Sequence, residues 1–156
     1  MNKWLLLAAL MLLMVESDGK TLVVDPAGLG HPNTLARAVA MASSGDTIIM
    51  MPGRYSNAVI DRRLTIVGSG NVVINGNGNT ALVISAPGCR LSNLSVEGSG
   101  NSPSVLLQSA DNVLDRCLVS GGIMGVQILG TNNTIRLGQV NSILGIELDG
   151  SRCAVI

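Results

Sequence analysis

Asp115 and Arg136 are the residues whose types and spacing come nearest to a catalytic pair, with Asp111, Arg116 and Glu97 close to them in sequence. Sugar hydrolysis needs two or three carboxylates across the scissile bond. Elimination from an acidic sugar needs carboxylates, often holding Ca²⁺, and a basic residue to stabilise an enolate-like charge. Five scattered charges fall short of either set. Asp115 and Arg136 read instead as a solvated pair between neighbouring repeats, worth about 0–1 kcal/mol. His31 is the single histidine, in the loop Gly28-Leu29-Gly30-His31-Pro32. Base or metal chemistry there needs partners that the loop does not supply. Met41, Met50 and Met51 have the thioethers that copper favours, but their setting reads as core and cap packing. The sequence therefore assigns no catalytic, cofactor-binding or metal-binding residue, with Asp115 and Arg136 as the only weak catalytic candidates.

Composition narrows the partners. Ten basic and ten acidic residues give a formal net charge of zero, and there is one Trp, one Tyr and no Phe. Without a basic block or aromatics for base stacking, nucleic acid is excluded as a partner. The chain is 47% apolar, enough for a core, but that core must be built from Val, Ile, Leu, Ala and Met. Nineteen Gly and many Asn punctuate short apolar runs, which predicts many short strands joined by tight turns.

The first residues predict export. Lys3 supplies a positive start, Trp4 to Val15 an apolar stretch too short to span a bilayer comfortably, and Val15-Glu16-Ser17 a small-residue cleavage site. Residues 1–17 are read as a signal peptide cleaved after Ser17, leaving a secreted or periplasmic protein with no membrane contact after cleavage. Asn93 and Asn132 begin N-x-[ST] sequons, relevant only in a eukaryotic host.

The elements that must position these residues come from a repeat. In residues 18–45, Thr21 to Val24 reads as a strand. Leu35, Ala38, Val39 and Ala42 then mark one face of a helix, with Asn33 as the N-cap and Gly45 at C′. From Asp46 to Ile156 the chain repeats in three columns. The first is Ile60, Ile84, Leu107, Ile128, Leu148. The second is Ile66, Leu91, Leu114, Ile135, Val155. The third is Val72, Val96, Val119, Val140. The repeat length shortens in step in all three columns. That pattern predicts an all-β fold: a right-handed, single-stranded parallel β-helix with an N-terminal capping helix, each coil giving three short strands. An antiparallel sandwich would not need the shared period.

The same register places Cys89, Asn112, Asn133 and Cys153 in one corner column, with stacked asparagines bonding along the axis. Cys89 and Cys153 are three coils apart, about 14 Å at the usual strand spacing, which is too far for a disulfide. Cys117 falls in the Leu94 position as a small buried residue. Asp46 and Arg54 flank the strand after the helix and read as turn stabilisers. The last coil shows Leu148 and Val155 but no strand in the Val140 column, so it reads as incomplete, and the exposed edge predicts self-association through the C-terminal coil.

The stretch Thr34-Leu35-Ala36-Arg37-Ala38-Val39, Gly45-Asp46-Thr47-Ile48-Ile49 and Pro52-Gly53-Arg54-Tyr55 resembles the opening of pectin-lyase-like β-helices. The later strings Leu64-Thr65-Ile66-Val67-Gly68, Gly76-Asn77-Gly78 and Leu91-Ser92-Asn93-Leu94-Ser95-Val96 are similar to NosD-type periplasmic proteins of the carbohydrate-binding and sugar-hydrolase (CASH) group. The resemblance runs from Thr21 to Ile156, through residues that shape turns and core. Members carry more coils, and the paired Asp with a following His of the group's hydrolases is absent. The missing carboxylate clusters, the low charge and the lack of groove aromatics favour an exported, non-catalytic module whose partner is a polysaccharide or another protein. The alternatives that the resemblance implies are the first part of a polysaccharide lyase, hydrolase or epimerase, or a NosD-like accessory of copper-site maturation.

Overall fold

The computed structural model describes residues 19–156. The leader read over residues 1–17, and its cleavage point, lie outside the described residues. Fifteen strands and one helix are described. Strand β1 (Thr21–Val24) is followed by helix α1 (Leu35–Met41), and then by strands alone. β4 (Ala58–Ile60), β7 (Leu82–Ile84), β10 (Val105–Leu107), β12 (Val126–Ile128) and β14 (Ile146–Leu148) stack in parallel as one sheet. The second sheet bends into two halves. One half stacks β1, β2 (Thr47–Met50), β5 (Thr65–Gly68) and β8 (Arg90–Ser92); the other stacks β3 (Gly53–Ser56), β6 (Val72–Asn75) and β9 (Ser95–Gly98). β11 (Val113–Gly121) and β13 (Thr134–Asn141) are long enough to serve both halves, and β15 (Ala154–Val155) follows β13. The chain is a parallel β-solenoid.

Apolar residues spaced by one coil lie directly over one another because every ladder is parallel, with the register shifting only at the bulge between Asp115 and Leu118. Ile60, Ile84, Leu107, Ile128 and Leu148 pair in succession, as do Ile66, Leu91, Leu114, Ile135 and Val155. Both columns match the sequence expectation at every position. The interior members are 0–2% exposed, and burying each aliphatic side chain contributes about 1.5–3 kcal/mol. The third column needs a correction: Val96 stacks on Ile74, not Val72, and Ile74 stacks on Tyr55. Val72, Val73 and Ile74 are all buried, so alternation in β6 does not select the register.

The helix begins one residue later than expected. Thr34 is the N-cap, its hydroxyl accepting from Arg37 N–H at 3.2 Å, and the helix closes at Ala42, three residues before Gly45. Leu35, Ala38, Val39 and Ala42 are buried, as their spacing predicts, and α1 packs on β1 and β4. Of the methionines expected to pack in core or cap, Met50 is fully buried, whereas Met41 and Met51 are exposed. Asp46 does stabilise the turn before β2, accepting from Ser43 N–H at 2.7 Å and Lys20 N–H at 2.8 Å. Arg54 does not. It lies in β3 and pairs with Glu97 at 2.7 Å.

The last coil differs from those before it. Leu148 and Val155 are 49% and 48% exposed, and Ile143, Leu144 and Ile156 are more exposed still. β14 and β15 each pair on one side only.

Candidate functional site

Parallel stacking turns each outward position of a strand into a ladder along the axis. On the half-sheet of β5, β8, β11 and β13, one outward ladder is Thr65, Arg90, Val113, Thr134 and the next is Val67, Ser92, Asp115, Arg136. Asp115 and Arg136 are thus neighbours across two coils, as the repeat predicted. Their expected pairing does not form. Asp115 accepts instead from Arg116 Nε at 3.0 Å. The cause is local: Arg116 occupies a left-handed turn (φ 50°) at the bulge where β11 bends, which leaves its side chain beside that of Asp115.

The other charges are also separated. Glu97 is not near Asp115. Its register neighbour in β11 is Ser120, on the other half-sheet, where it accepts from Arg54 Nη2 and, at 3.3 Å, from Asn75 Nδ2. Asp111 lies in the corner and accepts from Asn132 Nδ2. These carboxylates are each engaged by a neighbouring donor. His31 is exposed in its loop. Among the described residues no group of three or more His, Cys, Asp or Glu is placed to hold a metal ion. Cys89, Cys117 and Cys153 are free thiols.

What the structure assembles is a basic groove. Gly45, Arg63, Thr65, Gly88, Arg90 and Asp111 line an open depression of about 430 Å³. Thr65 and Arg90 also line its continuation of about 220 Å³, which runs past Ser92, Asp115, Arg116 and Arg136. Among the described residues the ion pairs are Arg54–Glu97, Arg62–Asp61 and Arg116–Asp115. Arg63, Arg90 and Arg136 therefore face the groove without a carboxylate partner. Gly88 makes room for Arg63: a methyl there would sit 3.1 Å from its Cδ. Sequence reasoning found Arg136 and Arg116 but missed Arg63 and Arg90. The signal was present, since Arg90 precedes Leu91 by one residue, and outward positions beside a core column share a face. A second, smaller groove of about 230 Å³ on the other half-sheet is lined by Ser95, Glu97, Leu118, Ser120, Gln139 and Asn141.

No protein family, curated protein or solved structure matches the chain. The fold and the groove define its class as a parallel β-solenoid with an arginine-lined outer face.

Proposed function

We propose that this chain is an exported, right-handed β-helix module that binds an extended glycan along its outer face without cleaving it. The observation that carries this reading is the pair of contiguous open grooves sharing Thr65 and Arg90. Their length and shallowness suit a chain laid across several coils better than a small molecule, which favours a concave, largely enclosed pocket. Carboxylate chemistry has little to work with, because Asp111, Asp115 and Glu97 are each held by a side-chain donor and Glu97 lies on the other half-sheet. The short apolar leader and its Val15-Glu16-Ser17 site support export.

Affinity electrophoresis of the protein through gels containing dissolved polysaccharides tests the binding. Retardation by at least one polysaccharide, with no change in the polymer's length, is the expected result. Migration unaffected by every polysaccharide contradicts it. Intact mass of the exported protein tests the leader: the chain should begin at Asp18.

A further inference from the structure

We infer that the open depression beside Gly88 is a binding site for a free, protonated phosphate ion, clamped by Arg63 and Arg90 and read by Asp111. This site is separate from the glycan reading and does not depend on it. Arg90 of β8 stacks on Thr65 of β5, and Arg63 precedes Thr65 by two residues on the same coil. The two arginines are therefore diagonal neighbours on adjacent coils. One coil rise of about 4.8 Å and two strand residues separate them, roughly 8 Å between Cα atoms. Arg63, Thr65, Arg90 and Asp111 line one depression of about 430 Å³. Gly88 keeps that space open. Its backbone is left-handed (φ 74°), and a methyl there would press on the Arg63 stem at 3.1 Å. Among the described residues neither Arg63 nor Arg90 forms an ion pair, whereas the adjacent Arg62 is held by Asp61 and by the Ala42 carbonyl. Two exposed guanidiniums thus meet at one hollow with donors free for a ligand.

The chemistry selects the ion. Two planar forks that approach from neighbouring coils suit a tetrahedral oxyanion, which offers different oxygens to each; a planar carboxylate offers one pair. The Thr65 hydroxyl can donate to the same anion. Asp111 then discriminates between oxyanions. Asn132 Nδ2 occupies its Oδ1, which leaves Oδ2 for a ligand. A carboxylate only accepts, so it favours an anion that still carries a proton and repels one that does not. Inorganic phosphate keeps a proton at neutral pH; sulfate keeps none. A phosphate monoester loses its last proton near pH 6 and a diester has none, so the same carboxylate disfavours phosphorylated chains and phospholipids.

The test is a backbone-amide NMR titration of the intact chain with inorganic phosphate, sulfate and glycerol phosphate, at slightly alkaline pH and constant ionic strength. Shifts should saturate with phosphate and centre on Thr65, Gly88 and Arg90, with sulfate and glycerol phosphate several-fold weaker. Arg63→Gln and Arg90→Gln should each weaken phosphate roughly two- to fivefold, the range of single exposed ion pairs. The double variant should abolish saturation. Arg37→Gln, on the exposed side of the helix, should change nothing. Asp111→Asn keeps a residue type that tolerates the left-handed backbone there (φ 61°). It should bring sulfate up to phosphate, a loss of preference that a purely structural role would not produce. The absence of a saturable shift at the depression would overturn the proposal, as would phosphate binding indifferent to both arginines. Sulfate matching phosphate in the unaltered chain would overturn the role of Asp111. Glycerol phosphate binding more tightly than inorganic phosphate would overturn the choice of a free ion. Retardation by polysaccharides, present or absent, bears on the glycan reading alone.

Discussion

Asn112 donates its backbone N–H to Oδ1 of Asn133, one coil away, at 2.9 Å, and offers its own Oδ1 to Cys89 N–H at 2.8 Å on the other side. Both amides are fully buried, and both Nδ2 groups turn back to the carbonyl of Ser109. Each asparagine therefore satisfies the corner backbone of the coil before it, which no apolar residue could do. Asn112→Ala should cost about 1–3 kcal/mol, because Cys89 N–H is left buried and unpaired. Asn133→Ala should cost a similar amount, and the double variant less than the sum, since the two share Ser109. Urea midpoints of the three variants measure this; strict additivity would mean the ladder is not coupled.

The core columns make a graded prediction. Ile84→Ala removes a fully buried side chain between two stacked neighbours and should cost about 2–5 kcal/mol. Leu148→Ala, in the same column but half exposed, should cost well under half as much in the same urea titration.

Acid and alkaline stability have separate sources. The hydrogen bond from Ser43 N–H holds the Asp46 carboxyl below its ordinary range, aided by the bond from Lys20 N–H and the Lys20 charge, and opposed by desolvation. A depressed folded value means that Asp46 stabilises the fold above its unfolded value, near 3.9, and that this stability is lost as pH falls through the folded value. Asp46→Asn should flatten the acid limb of the stability profile. Burial, with the Asp25 charge adding to it, pushes the Tyr55 hydroxyl up to about 12. Its contribution is complete below about 10 and is lost as pH rises through 12. Tyr55→Phe should remove that alkaline transition. It should also lower stability at neutral pH, because the Met51 carbonyl loses the Tyr55 hydroxyl and the Val24 carbonyl keeps only the Met51 N–H. Denaturation midpoints across pH check both signs.

The cysteines should react in two classes. Burial raises the Cys89 and Cys117 thiols above their ordinary value, and both side chains are almost inaccessible, whereas Cys153 is partly exposed. A thiol reagent should label one cysteine per native chain quickly and all three after unfolding. An intramolecular bridge between Cys89 and Cys153 would contradict the coil register.

Much of this fold was legible because a solenoid writes its register into the sequence once per coil. Ile60 and Ile66 each head a column that the structure reproduces to its last member. The register slipped at Val72, where three consecutive buried residues erase the alternation, and Tyr55, alone of its kind, marked no column. The site was less legible. Asp115 and Arg136 were correctly placed side by side, but their pairing depended on the left-handed turn at Arg116, a conformation that sequence associates with Gly, Asn and Asp rather than Arg. Arg63 and Arg90 escaped notice because outward residues carry no periodic apolar signal.

The central claim is binding without turnover, and one experiment addresses both halves together. The protein is incubated with a polysaccharide that retards it in gel, and the polymer's length distribution is then measured by size-exclusion chromatography. The account predicts a retarded protein and a polymer of unchanged length. Shortened chains, produced by this protein and abolished by Asp115→Asn, would contradict it and return Asp115 to a catalytic role.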